Sequence, residues 1–295
     1  MNIELILRKI YHKIFDKAPI VVNVNISKLA PSEYHTGGAI LITGGTSGIG
    51  FAIADAMLSA NAAAVVITGR SEKKCQSAVR ILQQSHPEYD NRIFYQVLDN
   101  RNVSSYNRAF KEICEKIKVV DASLKINVLI NNAGVQGAVF GSAKEEDYDN
   151  VLDTNAKGVF FLSQLVAHYM IDNNIKGNIL NICSSSSLRP VGGAYTLSKV
   201  AVKEMTEGMA KSLISHGIVV NGLAPGPTAT PMMHRSSESD YSCNYNPLGR
   251  YALPEEIANM AVILTSNLGR TIVGSVVYMT GGSGNLTLED VKYDF

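Results

Sequence analysis

The stretch Thr43-Gly44-Gly45-Thr46-Ser47-Gly48-Ile49-Gly50 constrains the fold of this chain more than any other. It follows Ala39-Ile40-Leu41-Ile42, an unbroken apolar run that reads as a strand buried on both faces. After it, Ile49, Ile53, Ala56 and Met57 recur at helical spacing, which predicts a helix opening near Ser47 or Gly48. A strand, a glycine turn and a helix N-terminus form an anion site, because unpaired N–H groups and the positive end of the helix dipole face one point. Gly44 permits the tight turn, Gly48 lets a phosphate approach the main chain, and Gly50 lets helix pack closely on strand. Thr46, Ser47 and Ile49 complete this candidate dinucleotide cradle. The spacing G-x-x-x-G-x-G departs from the commoner G-x-G-x-x-G, and glycine-rich turns also serve as plain connections. The flanking strand and helix favour the phosphate cradle.

Further strands are expected at residues 64–68, 93–97, 128–130, 178–182, 219–223 and 275–279, alternating with helices that include 104–118, 147–170 and 195–216. That order predicts an α/β fold, a Rossmann-like doubly wound parallel sheet of about seven strands with helices on both faces. With 295 residues, 46% hydrophobic and 18% charged, the chain can bury one large core. Residues 37–295 are therefore read as a single catalytic domain. A net charge of +1 leaves no broad footprint for nucleic acid. The four cysteines (Cys75, Cys114, Cys183 and Cys243) show no C-x-x-C spacing. They read as reduced thiols of a cytoplasmic protein, and no metal site is expected. Cys183 is either reagent-sensitive or buried and inert.

Residues 1–36 form an extension. Ile3, Ile6, Leu7, Ile10 and Ile14 make an apolar stripe, and Arg8, Lys9, His12, Lys13 and Lys17 a basic face. Residues 1–17 either lie on an anionic membrane surface or pack on the enzyme body or a neighbouring subunit.

The end of the second strand speaks to the cofactor. In such folds a carboxylate about 20 residues past the glycines binds the ribose hydroxyls and selects NAD. Here that place holds Gly69 and Arg70, with Lys73 and Lys74 one turn on. No acid repels a 2′-phosphate and a guanidinium can clasp one, so NADP(H) is favoured and NAD(H) stays open. Alternatively, Arg70 stacks on adenine or sits in solvent.

Tyr195 and Lys199 stand at i and i+4 and share a helix face. A free phenol gives up its proton only near pH 10, and a neighbouring ammonium favours the phenolate. Upstream, the strand 178–182 runs into Cys183-Ser184-Ser185-Ser186-Ser187, where a serine can donate to the oxygen that Tyr195 would protonate. A Tyr–Lys pair alone is ordinary surface packing; the phosphate loop changes its meaning.

Over residues 37–284 the chain resembles the short-chain dehydrogenase/reductase family, including its 3-oxoacyl-carrier-protein reductase-like members. The matching segments are the loop 43–50, Asn131-Asn132-Ala133-Gly134, Asn155, Tyr195-x-x-x-Lys199, and Pro225-Gly226 followed by Thr228 and Thr230. The resemblance implies that Asp99 and Asn100 hold the adenine end and that Asn132, Ala133 and Gly134 line the cofactor. Pro225, Gly226, Thr228 and Thr230 would flank the nicotinamide. It further implies Tyr195 as general acid/base, Lys199 as its activator and a ribose ligand, Ser184 as holder of the substrate oxygen, and Asn155 as anchor of a proton-relay water. Ser184 stands closer to Tyr195 than is usual, which leaves Ser186 as the fallback. Ile175 and His216 occupy places where carrier-docking arginines would be expected in 3-oxoacyl-carrier-protein reductases.

The resemblance implies reduction of a ketone or aldehyde, by hydride transfer from NADPH, in a homodimer or homotetramer. An NAD-linked secondary-alcohol or sugar dehydrogenase is the alternative. A non-catalytic dinucleotide sensor or scaffold is the alternative of another class, opposed by the intact quartet Asn155, Ser184, Tyr195 and Lys199. The irregular stretch 227–248, with Met232, Met233, His234, Arg235, Tyr241 and Tyr245, reads as a substrate lid.

Overall fold

The computed structural model describes residues 33–233 and 241–286. The basic amphipathic stretch 1–17 lies outside them, as do His234 and Arg235. Seven parallel strands form one sheet: β1 (Ala39–Ile42), β2 (Ala64–Gly69), β3 (Ile93–Val97), β4 (Ile126–Asn131), β5 (Asn178–Ile182), β6 (Val219–Pro225) and β7 (Val276–Met279), in the order β3-β2-β1-β4-β5-β6-β7. The order reverses between β1 and β4, and at such a switch point the loops beyond the strand ends diverge and open a crevice.

Strand periodicity divides the core. Ile40 and Ile42 point to one face with Ile53 and Met57 of α1 (Gly48–Ser59) and Ile257 and Ala261 of α7 (Pro254–Thr265). Leu41 and Val66 point to the other, with Phe110 and Ile113 of α3 (Tyr106–Ile117) and Val166 and Met170 of α5 (Gly158–Asp172). Ile40, Leu41 and Ile42 are fully buried, each contributing about 2 kcal/mol of transfer free energy. Packing begins before residue 37: buried His35 donates its main-chain N–H to the Ala60 carbonyl, and its ring contacts the Val262 carbonyl and Thr265 hydroxyl.

Two polar devices fix the centre of the sheet. Asn131 Nδ2 donates to Ser163 Oγ (2.8 Å) and Asn181 Oδ1 (2.9 Å), while Asn181 Nδ2 donates to Thr206 Oγ1 (3.0 Å). At the strand tips Thr43 Oγ1 accepts from the N–H groups of Asn132 and Ala133, both at 3.0 Å. The first set ties β4 and β5 to the helices behind them; the second joins β1 to β4 at the switch point.

The helix expected over 147–170 runs without a break but carries a widened turn. It is α4 (Glu145–Leu152), a π turn (Asp153–Lys157) and then α5. The apolar positions on each side of the π turn keep helical spacing among themselves, so hydrophobic pattern alone reads through it. The helix expected over 195–216 is α6 (Ala194–Leu213), closed by a 3₁₀ turn at Ile214–His216. The remaining helix, α2 (Glu72–Ser85), follows β2. Among the described residues no helix is long and apolar enough to cross a membrane, and no group of His, Cys, Asp or Glu is placed to hold a metal ion. All four cysteines are free.

Candidate active site

A cleft of about 800 Å³ opens above the C-terminal strand ends. At its floor Gly44 takes φ +66°, and a Cβ there would come within 2.8 Å of Ala133 Cα. Gly48 takes φ +55° and faces Thr230, whose Cβ would lie 3.4 Å from an added Cβ. Gly50 does not line the cleft; a Cβ there would come within 2.5 Å of the Gly44 carbonyl, so its task is helix–loop packing. Asn132 Nδ2 holds the loop from below, donating to the carbonyls of Thr43 (2.9 Å) and Gly44 (3.0 Å).

These residues fit a dinucleotide. Ser47 caps α1 without a side-chain hydrogen bond, and the first turn carries no acid, so its N–H groups and dipole are open to a diphosphate. Asn100 Nδ2, in the same cleft, is buried without a hydrogen-bond partner. Gly69 is required because a Cβ would meet Thr46 Cγ2 at 2.7 Å, which leaves Arg70 to follow directly. Arg70, Ser71 and Lys74 line that end together at the start of α2. Its one first-turn acid, Glu72, instead accepts from Tyr95 Oη and Gln76 Nε2, both at 3.4 Å. Asp99 also lines the cleft. Arg101 donates to its carboxylate through Nη2 at 2.7 Å, and this contact holds the acid below the usual carboxylate range.

The catalytic candidates converge beyond the glycine loop. Tyr195 opens α6, and Lys199 Nζ sits 5.9 Å from the centroid of its ring. Lys199 is buried, and Nζ donates to the Ile182 carbonyl at 2.7 Å, which fixes the ammonium at the end of β5. Ser184 follows at that strand end; its Oγ accepts from Ser186 N–H at 3.1 Å, leaving its own O–H to donate elsewhere. Ser184, Ser186, Tyr195 and Lys199 all line the cleft, and Ser186 Oγ is buried without a partner.

Asn155 stands behind this group in the π turn, fully buried. Its Oδ1 accepts from Val135 N–H (2.8 Å), and its Nδ2 donates to the Val135 carbonyl (2.9 Å) and to Ser198 Oγ (3.0 Å). Ser198, absent from the expected site, donates in turn to the Tyr195 carbonyl at 2.7 Å. It stands between the two motif residues on α6 and could have been found as the position facing Asn155. A Cβ on Gly134 would lie 3.4 Å from Asn155 Oδ1 and 3.7 Å from Lys199 Nζ, so this glycine keeps the two close. Cys183 is buried beside them; burial pushes its thiol up to about 11, the behaviour of an inert side chain.

Gly226 abuts Thr280, whose Cα would be 2.7 Å from an added Cβ, and Thr228 Oγ1 donates to the Gly226 carbonyl at 2.9 Å. Pro225, Gly226, Thr228 and Thr230 thus form the wall opposite the glycine loop. Of the expected lid, Met232, Met233 and Tyr245 reach the cleft. Gln136 and Arg189 line it too, and neither is part of a recognisable motif.

Comparison with known proteins bears on this cleft directly. The family model for short chain dehydrogenases matches residues 38–240. A 3-oxoacyl-[acyl-carrier-protein] reductase of Thermotoga maritima is 36% identical over 252 residues, 83% of this chain and 97% of that protein. A gluconate 5-dehydrogenase of Gluconobacter oxydans is 34% identical over 255 residues, 84% of this chain and 94% of that one. Among solved structures, a gluconate 5-dehydrogenase from Burkholderia cenocepacia in complex with NADP and tartrate aligns with a TM-score of 0.72 at 30% identity, covering 85% of this chain and 97% of that one. A doubly wound parallel sheet of seven strands, a glycine loop at its switch point and a family match over more than half the sequence lead to one conclusion: the chain belongs to the short chain dehydrogenase family of NAD(P)-dependent oxidoreductases, which act on CH–OH and C=O groups.

Proposed function

We propose that this enzyme reduces a ketone or aldehyde to an alcohol with NADPH, and that Tyr195 donates the proton. The observation that carries the reading is the convergence of Tyr195, Lys199, Ser184 and the glycine loop on one cleft, with Asn155 directly behind. The reduced nicotinamide, when bound, supplies a hydride to the carbonyl carbon. Tyr195 Oη gives its proton to the carbonyl oxygen, and the O–H of Ser184 donates to the same oxygen as charge gathers there. The Lys199 ammonium, held by the Ile182 carbonyl, attracts the phenolate left behind. Asn155 holds Val135 and Ser198, and in this reading it anchors a water that would pass a proton from solvent to Lys199.

Arg70 and Lys74, with the Ser71 cap between them, carry the preference for NADP(H), because both cations flank the place of a ribose 2′-phosphate. The NADP-bound gluconate 5-dehydrogenase supports this reading. Oxidation of a secondary alcohol is the same site run in reverse. Comparing kcat/KM for NADPH and NADH in the wild type and in Arg70→Asp tests the assignment. A preference for NADPH that shifts at least about 10-fold toward NADH is expected; an unmoved preference refutes the role of Arg70.

The exposed rings of Phe160 and Phe161 on α5, beside the cleft-bearing helices, favour a homodimer that covers this face. Sedimentation of Phe161→Glu measures it, with a lighter species expected.

A further inference from the structure

The two halves of the cleft differ in charge. Arg70, Lys74 and Asp99 line the adenine half. The substrate half, beyond Tyr195, is framed by the segments 135–143, 184–194, 225–233, 241–249 and 280–286. Across all five, Arg189 is the one charged side chain, and it is already engaged within the protein.

These segments are tied into a ring. Val139 bridges Gly193, and Phe140 N–H donates to the Gly192 carbonyl at 3.0 Å. Leu188 packs against the main chain at Gly284, where an added Cβ would lie 3.4 Å from Leu188 Cδ1. Leu248 N–H donates to the Gly281 carbonyl at 3.0 Å. On the remaining side Gln136 Nε2 reaches Met233 Sδ at 3.9 Å, joining the loop after β4 to the one after β6. Large apolar side chains are exposed around this ring. Val139, Val191, Leu248 and Leu286 are each more than half exposed, and Met232 and Tyr245 stand on its inner side, in the cleft. Single exposed apolar residues are ordinary, but a set of them around the mouth of a reactive cleft marks a ligand. Tyr245 belongs to this set as a ring rather than as a donor, because its hydroxyl shares a hydrogen bond with that of Tyr251 at 2.9 Å. Ser184, Ser186 and Tyr195 stand at the base. The cleft therefore grades from polar at the reacting centre to apolar at its mouth.

We propose that the substrate is an uncharged ketone with a bulky apolar body, such as a fused alicyclic ring, which lies on Met232, Met233 and Tyr245 while its oxygen points to Ser184 and Tyr195. This rests on the reductase reading above and adds to it the substrate class and three specificity residues. The carbonyl carbon gains a hydride from NADPH and the oxygen a proton from Tyr195, giving a secondary alcohol and NADP⁺. Methionine side chains adapt their shape, so Met232 and Met233 accept such a body without dictating its outline. A sugar acid or a phosphate-bearing thioester would bring charge to a mouth that has no free cation to pair with it, and an unpaired charge in apolar surroundings is costly.

Acetone, cyclohexanone and β-decalone carry one reacting group on an increasing apolar body; 5-keto-D-gluconate carries it on a charged, hydroxylated one. With the full-length enzyme and NADPH, kcat/KM is expected to rise about 10-fold or more from cyclohexanone to β-decalone, and to be far lower for 5-keto-D-gluconate. Tyr245→Ala should raise KM for β-decalone about 10-fold with a smaller change in kcat, and Tyr245→Phe should recover most of the loss. Met233→Gln, which keeps the length and adds a polar end, should act in the same direction. NADPH titration of each variant reports on an intact cofactor half. Calorimetric titration of the enzyme–NADP⁺ complex with β-decalone reads the apolar contact without turnover. No gain with the second ring, a kcat/KM for 5-keto-D-gluconate equal to or above that for β-decalone, or a KM untouched by Tyr245→Ala overturns the proposal. A lighter species of Val191→Asp in sedimentation, with the ranking of ketones intact, would assign the rim to a second copy of the chain and also overturn it. Binding of β-decalone that depends on Tyr245, with no carbonyl compound reduced at all, would instead refute the reductase reading and leave the apolar site standing.

Discussion

The two ends of the cleft are built from different materials. At the glycine loop, the proposed diphosphate cradle is a matter of main chain: Gly44 and Gly48 at positive φ, an open helix terminus, and strand tips stitched by Thr43 and Asn132. The catalytic end is a matter of side chains held by other side chains, from Asn155 to Ser198 to the carbonyl of Tyr195, with Lys199 fixed on Ile182. Main-chain recognition needs an absence, the missing Cβ, so substitutions there act by intrusion. Side-chain recognition needs a presence, so substitutions there act by loss. The first kind should disturb binding and stability together, the second should disturb turnover alone.

The sharpest way to divide the ends is Tyr195→Phe. Loss of the proposed proton donor should lower kcat by about 10²–10⁴-fold, while NADPH affinity, read by fluorescence titration, stays within about twofold. If affinity fell as far as turnover, the separation of the two ends would be wrong. Asn155→Ala comes next. It removes three hydrogen bonds behind the pair without touching the cleft. Misplacement of Tyr195 and Lys199 should cost about 10²-fold in kcat, with KM for NADPH changing far less. Steady-state kinetics distinguishes this from a global effect.

Gly44→Ala tests the other end. Its Cβ would sit 2.8 Å from Ala133 Cα at a φ of +66°, and the overpacking should cost about 1–3 kcal/mol. Both the NADPH dissociation constant and Tm should move, the latter by several degrees; a kcat defect at saturating cofactor with neither moved would break the comparison.

The smallest effect is expected at Glu256, remote from the chemistry. Arg250 donates to it through both Nη atoms at 2.8 Å, and Leu253 N–H adds a third bond at 2.8 Å at the start of α7. These contacts lower its carboxyl from 4.5 to about 2. A depressed folded-state value means that the stabilisation is present above pH 4.5 and is lost as pH falls through 2. The pair is about 40% exposed, so solvent screening leaves only about 0.5 kcal/mol. Glu256→Gln should lower Tm by about 1–2 °C at pH 7, with the difference closing as the medium is acidified toward pH 2.

What the amino-acid sequence disclosed follows the same division. The strands were legible because each is buried on both faces and reads as an apolar run; 39–42 and 178–182 match β1 and β5 residue for residue. Glycines 44 and 48 were legible because few residues other than glycine tolerate such backbone. Tyr195 and Lys199 announced themselves by spacing. The π turn was not legible, since Val159, Leu162 and Val166 keep one apolar face whether or not an extra residue precedes them. Ser198 escaped because its role depends on which side chain faces it across the helix pair, and Arg189 because its place depends on a loop pinned by Pro190, Gly193 and Gly284.

The wide turn at Asp153–Lys157 has a consequence for the evolution and engineering of this protein. Each residue of a helix advances the side-chain direction by about 100°, so the inserted position lets one rod serve two masters. The turn itself aims Asn155 inward at Val135, while the helix after it keeps Val159 and Leu162 seated on the sheet. Deleting a single residue there would give a more regular rod and would turn Asn155 off its target, or else roll the apolar face out of its seat. A screen for thermal robustness would therefore reward repairs at this seam that extinguish turnover. The seam is an irregularity that selection for durability alone would erase.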